Sequence, residues 1–220
     1  MSGANRGNGR NGRSGHAAVV GGDEVPVGRV DALLAAVPAR DRETRPEALA
    51  RAERRRRRWA TQVVVVDELA RRACAERGLA PPPQVSPARV LGVSGTDVAD
   101  LGSIVAVALA HSPAARALLS ALEAERTVPE RAVRDYYARN RDRFLTPDAL
   151  RRGVDPYYVL QPSDVLPYDE VREGVVRELR RALARQAFFD WLDRARSCVE
   201  YAPGHEHPGD PGHPDHEHRH

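Results

Sequence analysis

Residues 167–203, PYDEVREGVVRELRRALARQAFFDWLDRARSCVEYAP, decide the fold. Apolar side chains recur there at helical spacing, which predicts one long helix from about residue 167 to residue 195. At ~1.5 Å per residue such a helix spans roughly 40 Å. The side chains expected to face inward are Tyr168, Val171, Val175, Leu179, Leu183 and Leu192. The segment SCVEYAP that follows predicts a short strand, which needs a partner elsewhere in the chain.

The N-terminal stretch AAVVGGDEVPVGRVDALL, residues 17–34, supplies the expected partner of that strand. Its apolar run turns at Gly21 and Gly22 and resumes at Val25, which is typical of a small hairpin. A helix is expected to follow from about residue 28 to residue 36. The two ends of the chain are therefore predicted to meet in one small β element.

Between these ends the sequence predicts further helices. Pro46 opens a long helical pattern that Gly78 ends. Thr96 is the expected N-cap of the next helix, and Ser112 followed by Pro113 starts another. The expected apolar faces are Trp59, Val63, Val66, Ala70 and Ala73 on the long helix, and Val98, Leu101, Val105 and Leu109 on the next. The predicted fold is mainly α, with a small β element joining the N- and C-terminal segments.

Composition agrees with a helical body that has polar ends. Aromatic residues make up 5% of the 220 residues and charged residues 30%, a balance that favours helices over a β-sandwich. Residues 1–16 contain little to bury, so we expect a disordered N-terminal tail. Residues 17–203 are expected to form the folded domain, and residues 204–220 form a histidine-rich C-terminal tail. The 34 basic side chains are all arginine, and they nearly balance 31 acidic ones.

The cysteine count and the hydropathy pattern bear on location. Two cysteines, Cys74 and Cys198, do not form a disulfide framework, so both are expected to be buried, inert thiols in a reducing compartment. No run of 18 apolar residues is present, and no apolar segment follows the N-terminal arginines. We therefore predict a cytoplasmic protein without a membrane partner.

Several segments together resemble a known chaperone module. The segments are AVVGGDEVPVGRVDALL (18–34), ELARRACAERGL (68–79), VPERAVRDYYARNRDRF (128–144) and the closing helix and strand of residues 167–203. Their order resembles the helical module of the SurA- and PrsA-type peptidyl-prolyl isomerases, which is related to part of trigger factor. The resemblance implies a SurA N-terminal-like fold and binding of a polypeptide or partner protein. Tyr136, Tyr137, Phe188 and Trp191 are aromatic side chains that could line a cleft for the polypeptide, but a place in the core is the favoured explanation for most such residues.

The chain departs from that family where the catalytic domain belongs. Only 23 residues, 145–167, separate Phe144 from Tyr168, too few for a parvulin domain. We therefore expect no prolyl isomerase activity by the parvulin mechanism. The ending EHPGDPGHPDHEHRH is similar to that of small actinobacterial SurA-like proteins, many of which carry the label malonyl-CoA:acyl-carrier-protein transacylase. The sequence has no G-x-S-x-G turn for transacylase chemistry, so no acyltransferase site is expected.

The C-terminal tail is the candidate metal site. Six of the chain's eight histidines lie in residues 205–220. Imidazole suits zinc, copper and nickel, and interleaved carboxylates could complete or orient the ligand set. The candidate ligands are His205, His207, His213, His216, His218, His220, Asp210 and Asp215. A disordered tail that binds metal only adventitiously, or a tail that docks on the body, would show the same composition.

The run of arginines at positions 54–58 raises the question of nucleic-acid binding. Consecutive side chains on a helix point all round it rather than into one stripe, so we interpret the run as a solvated face with packed stems. Nucleic acid is not an expected partner.

Two functional hypotheses follow. The first is a chaperone-like protein that binds a polypeptide or partner, lacks the isomerase domain, and carries a divalent-metal-binding tail. The alternative is a metal-dependent enzyme or metal-handling protein that uses the C-terminal His/Asp cluster.

Overall fold

A computed structural model of the chain describes residues 15–36, 46–81, 93–158 and 160–206. The fold is mainly helical with one small antiparallel sheet, as predicted. The chain separates into two compact units. The first contains the described residues up to Ala117 and from Leu192 onward, and the second comprises Leu118–Trp191.

The sheet of the first unit joins the two ends of the described chain. Strands β1 (His16–Val20) and β2 (Asp23–Pro26) form the predicted hairpin, and β3 (Val199–Tyr201) pairs with the other edge of β1. Gly21 and Gly22 both have positive φ, which the two-residue turn requires. The predicted pairing of the last strand with the N-terminal hairpin is confirmed.

Helices α1 (Val27–Ala36) and α2 (Pro46–Glu76) pack beside this sheet. Four consecutive valines of α2, Val63 to Val66, are all buried, although successive side chains point in directions about 100° apart. The middle of α2 is therefore enclosed on every side. Gly78 adopts positive φ and Leu79 N–H donates to the Cys74 carbonyl at 2.8 Å, so the predicted end of α2 is confirmed.

The interpretation of the arginine run as a solvated face is wrong for one member. Arg54 and Arg55 are exposed, but Arg58 is only 7% exposed. Position 58 precedes Thr61 and Gln62 by three and four residues, so it lies on a face that is covered. The enclosure of α2 begins at this arginine.

Helix α3 (Gly95–His111) differs from the prediction at its start and in its middle. Ser94, not Thr96, is the N-cap, because its side chain accepts from the Asp97 N–H while the Asp97 carboxylate accepts from the Ser94 N–H. Gly102 has φ 73° and ψ 155°, which kinks the helix. The predicted apolar face is interrupted there, and Val98 before the kink is exposed whereas Val105 after it is buried.

Helix α4 (Pro113–Ala124) starts as predicted, with Ser112 Oγ accepting from the Ala115 N–H at 3.0 Å. Among the described residues no single helix is long and apolar enough to cross a membrane. One bent pair, Leu101–His111 with Pro113–Ala124 at 108°, passes the same test of length and composition when the two are taken together.

The second unit is built on helices α5 (Glu130–Arg139), α6 (Pro147–Arg152) and most of α7 (Tyr168–Arg196), with short 3-10 turns at Arg141–Phe144 and Pro162–Asp164. Val133, Phe144 and Val175 form its core cluster. The long final helix is confirmed almost to the residue. Its expected inward face is wrong at Leu183, which is 43% exposed.

Candidate functional site

The enclosed part of α2 carries polar side chains as well as valines. Arg58, Thr61, Gln62 and Asp67 are all buried. A buried polar group is costly unless it is hydrogen-bonded, so each of these residues demands a partner from a neighbouring segment. Three of these four residues have partners in residues 201–206, which makes this face of α2 the candidate functional site.

His205 is the residue of the C-terminal tail that reaches this face. It is 7% exposed, its Nδ1 lies 2.7 Å from Thr61 Oγ1, and its backbone N–H donates to the Ala202 carbonyl at 3.0 Å. The first histidine of the tail is thus packed into the body of the first unit.

The hydrogen bonds around Thr61 determine the His205 tautomer. A threonine hydroxyl has one proton, and Thr61 Oγ1 donates it to the Arg57 carbonyl at 3.0 Å. The His205 Nδ1 must then carry a proton and donate it to Thr61 Oγ1. The lone pair of the neutral ring is consequently on Nε2, which makes no hydrogen bond with a described residue.

Burial lowers the pKa of His205, and the nearby Arg57 guanidinium lowers it further. The carboxylates of Glu206 and Asp31 act in the opposite direction with smaller weight, and His16 contributes a further small decrease. The imidazole is therefore neutral near pH 7, the state in which histidine binds a metal or accepts a proton.

Two ion pairs lie near His205. Glu206 Oε2 lies 4.0 Å from Arg58 Nε, and Glu206 Oε1 accepts from the Gly204 N–H at 2.8 Å. Arg57 pairs with Asp31 of α1 at 3.0 Å. The Thr61 contact of His205 and the Arg58 pair of Glu206 hold these two residues against α2.

A second polar group lies around Tyr201 of β3. The Tyr201 hydroxyl donates to Gln62 Oε1 at 3.0 Å, and burial raises its pKa, against a lowering by Arg196. Burial lowers the pKa of Arg196. Gln62 Nε2 and the Nε and Nη2 atoms of Arg196 are buried and have no hydrogen-bond acceptor within the described ranges.

Asp67 is the centre of a third polar group. Its Oδ2 accepts from Arg29 Nη2 at 2.7 Å and from Arg71 Nε at 2.8 Å. Burial lowers the pKa of nearby His111, Asp67 acts to raise it, and Arg29, Arg71 and Arg116 lower it further. Sequence reasoning did not single out Asp67, although a carboxylate directly after four valines is a signal of a buried charge.

One of the predicted metal ligands lies within the described residues and the others do not. His205 is placed as described above, whereas His207, Asp210, His213, Asp215, His216, His218 and His220 lie outside the described residues. Within the part of the chain that is described, no three His, Cys, Asp or Glu side chains are grouped to hold a metal ion.

The predicted peptide contacts lie in the second unit. Tyr136 and Tyr137 pack on its core cluster, and their hydroxyls donate to Glu178 Oε1 and to the Leu166 carbonyl, both at 2.6 Å. Phe188 is buried, and its ring centroid lies 5.1 Å from that of the partly exposed Trp191.

The cysteines also differ from the prediction. Cys74 is buried, as expected, but Cys198 is exposed, because it lies in the turn between α7 and β3. The expectation of two buried thiols is wrong for Cys198.

Comparison with known proteins adds no identification: no protein family, no curated protein and no solved structure gives a significant match to this chain.

Proposed function

We propose that this protein binds a divalent transition metal through its histidine-rich C-terminal segment, with His205 as the fixed ligand. The observation that carries the proposal is the buried His205 ring, whose Nδ1 lies 2.7 Å from Thr61 Oγ1. Metal-ligating histidines almost always donate the proton of their other ring nitrogen to an oxygen atom, which fixes the ring and its tautomer. His205 has this arrangement, with Nε2 as the coordinating atom.

The remaining ligands would come from the residues after Glu206. His207, His213, His216, His218 and His220 provide imidazoles, and Asp210 and Asp215 provide carboxylates. Such a set suits zinc, nickel or copper, with copper favoured among the divalent ions by intrinsic affinity. One anchored ligand distinguishes this segment from a free histidine-rich tail, because it lowers the entropy lost when the others close on the metal.

The test is metal binding by tag-free protein, measured by elemental mass spectrometry after dialysis and by calorimetric titration with Zn²⁺, Ni²⁺ and Cu²⁺. A chain ended after Glu206 retains His205 and should lose the metal. Thr61→Val removes the hydroxyl that fixes the ring and should weaken binding about 10–100-fold. Thr61→Ser keeps a hydroxyl and should restore it.

A matched control is His111→Gln, which removes a partly buried histidine of the same unit outside the tail and should leave metal affinity unchanged. Metal retained by the chain ended after Glu206 would place the site elsewhere. Equal affinity in folded Thr61→Val and in the native chain would reduce His205 to a structural residue.

A second candidate function is binding of a polypeptide by the second unit, as the resemblance to the SurA-type module implies. Tyr157 and Tyr158 are 69% and 79% exposed, large values for aromatic side chains. The Tyr157 hydroxyl donates to Asp142 Oδ1 at 3.0 Å and its N–H to Asp155 Oδ1 at 2.8 Å, so this exposed loop is held in place.

Suppression of aggregation of a chemically unfolded client tests that function. Tyr158→Ser removes an exposed ring and should reduce suppression, while Arg151→Ser on the exposed end of α6 serves as a surface control. Equal suppression by Tyr158→Ser and the native chain would exclude this loop as the contact surface. If the protein is found to catalyse a reaction that stops when the metal is removed, a metal-dependent enzyme describes its function better than a polypeptide-binding protein.

A further inference from the structure

The guanidinium of Arg196 presents one buried edge without an acceptor. Its Nε and Nη2 atoms are both buried and donate to no acceptor among the described residues. These two nitrogens are the donors on one side of the guanidinium plane, the side that grips a carboxylate with two parallel hydrogen bonds. The arginine side chain stays charged in proteins. The missing hydrogen bonds of Nε and Nη2 therefore cannot be made unnecessary by loss of a proton.

Gln62 adds another donor beside the same tyrosine. Its side chain is fully buried, and its Oε1 is used by the Tyr201 hydroxyl at 3.0 Å, while Nε2 has no acceptor within the described chain. Arg196 is close enough to Tyr201 for its charge to lower the tyrosine pKa. The group formed by α2, the end of α7 and β3 therefore has donors in excess and no described acceptor to match them.

We propose that Arg196, with Tyr201 and Gln62 beside it, forms a binding site for a carboxylate group. The planar fork of one guanidinium matches the two oxygens and the single negative charge of a carboxylate. A phosphate dianion would leave a surplus negative charge in a partly buried site that has one cation. Arg196 as a whole is partly exposed, so the buried edge of its guanidinium lies next to the protein surface.

The carboxylate has two possible sources. One is this chain's own terminal segment, which contains Asp210 and Asp215. The other is a separate molecule that bears a carboxylate. The proposal does not depend on metal binding, because none of its three residues is a metal ligand.

The experiment is nitrogen-15 NMR of the Arg196 Nε–H signal, assigned as the signal that disappears in Arg196→Lys. Acetate and inorganic phosphate are titrated into the metal-free full chain and into the chain ended after Glu206. Arg194→Lys, an exposed arginine on the same turn of α7, is the matched control and should leave the signal in place. Acetate is expected to shift the signal saturably and to slow its exchange with water.

The full chain and the chain ended after Glu206 distinguish a carboxylate of the terminal segment from that of a separate molecule. A saturable acetate shift in both chains assigns the site to a separate molecule. A shift only in the shortened chain, together with a full-chain signal already at the shifted position, assigns it to the terminal segment. No shift and no difference between the chains would overturn the proposal. Phosphate binding as tight as that of acetate would overturn the assignment of the ligand as a carboxylate.

A second readout uses Tyr201. A bound carboxylate would neutralise the positive charge that lowers the tyrosine pKa, so acetate should raise that pKa further. The ultraviolet absorbance of tyrosinate reports it, with Tyr201→Phe identifying the contribution of this residue. An unchanged Tyr201 titration at saturating acetate would mean that any shift in the arginine signal arises outside this site.

Discussion

Asp67 is a buried carboxylate that accepts hydrogen bonds from two arginines of the first unit. Its Oδ2 accepts from both Arg29 and Arg71, and Arg29 also donates to Glu68 Oε2 at 2.6 Å. Asp67→Asn keeps the volume but removes the charge that both guanidinium groups need. Hydrogen bonds to charged groups are worth about 1.5–3 kcal/mol, so we expect the free energy of unfolding to fall by about that amount.

Asp31→Asn is the control for that change. Asp31 also pairs with an arginine, Arg57, at 3.0 Å, but both side chains are well exposed. An exposed pair contributes about 0–1 kcal/mol, so this variant should lie near the native chain. Urea unfolding followed by Trp59 fluorescence in a Trp191→Phe background reports the first unit. Equal losses in the two variants would contradict the central role of Asp67.

His111 gives the first unit a pH dependence. Burial lowers its pKa below the ordinary value of 6.5, with Asp67 opposing and Arg29, Arg71 and Arg116 reinforcing that shift. Well above pH 6.5 the ring is neutral in both the folded and the unfolded state. As pH falls below that value the unfolded chain takes up the proton first, so the free energy of unfolding decreases until the folded-state pKa is passed.

The measurement is urea unfolding of metal-free protein between pH 5 and pH 7.5, for the native chain and His111→Gln. The native chain should lose stability faster as pH falls, by at most about 1.4 kcal/mol per pH unit more than the variant. The pKa of His205 is shifted in the same direction, but its contribution is common to both proteins and cancels. A steeper decline in the variant would contradict the sign of the His111 shift.

Sequence reasoning identified His205 as a candidate ligand but not what holds it. Thr61 and His205 are 144 residues apart, and neither stands in a motif that names the other. The TQVVVVD stretch predicts a buried apolar helix that carries a few polar side chains. Its periodicity does not predict that every side of the helix is covered. That enclosure is a tertiary property, since it depends on which segments pack against α2.

At the scale of elements, the end of α2 depends on one glycine. Gly78 has φ 62°, a conformation that disfavours any residue with a Cβ atom. Gly78→Ala should therefore lower the free energy of unfolding by about 1–2 kcal/mol, even though an added Cβ would meet nothing within 4 Å. Gly28→Ala in α1 is the matched control, because it also meets nothing but has helical φ. That change should leave stability unchanged or raise it slightly.

Urea unfolding followed by Trp59 fluorescence compares Gly78→Ala with Gly28→Ala. A loss in Gly78→Ala no larger than in Gly28→Ala would mean that α2 ends independently of the left-handed residue. The outcome bears on the site, because α2 carries both Thr61 and Gln62.

Most helix ends with local signals were predictable. The exception is the start of α3, where the Ser94–Asp97 capping box is a local signal that the choice of Thr96 missed. Ser112, Pro113 and Gly78 act through their own backbone and side-chain bonds, so the sequence identifies them. Gly102 offered no such signal, because an isolated glycine is tolerated within a helix, whereas here its φ of 73° kinks α3. The SurA-like arrangement rests on segment order alone, and it stays a prediction.

At the scale of the whole molecule, the folded part of the first unit continues through Glu206. Strand β3 ends at Tyr201, but His205 is buried beyond it and Glu206 faces Arg58. Deleting residues 207–220 should therefore leave stability unchanged in metal-free protein. Deleting residues 204–220 removes a buried ring and leaves Thr61 with an unmet acceptor, so the free energy of unfolding should fall by about 1–3 kcal/mol.

The two deletions separate the tail's binding role from its structural one. If binding resides beyond Glu206, both deletions abolish metal retention, while only the longer one lowers the urea midpoint of the first unit. With the deletion of residues 204–220 alone, a loss of metal could result either from missing ligands or from reduced stability of the first unit. His205→Asn in the full chain completes the comparison, because it removes the coordinating nitrogen while keeping a polar side chain opposite Thr61. Equal urea midpoints for the two shortened chains would show that residues 204–206 do not stabilise the body, and the anchored ligand on which the metal proposal rests would have to be abandoned.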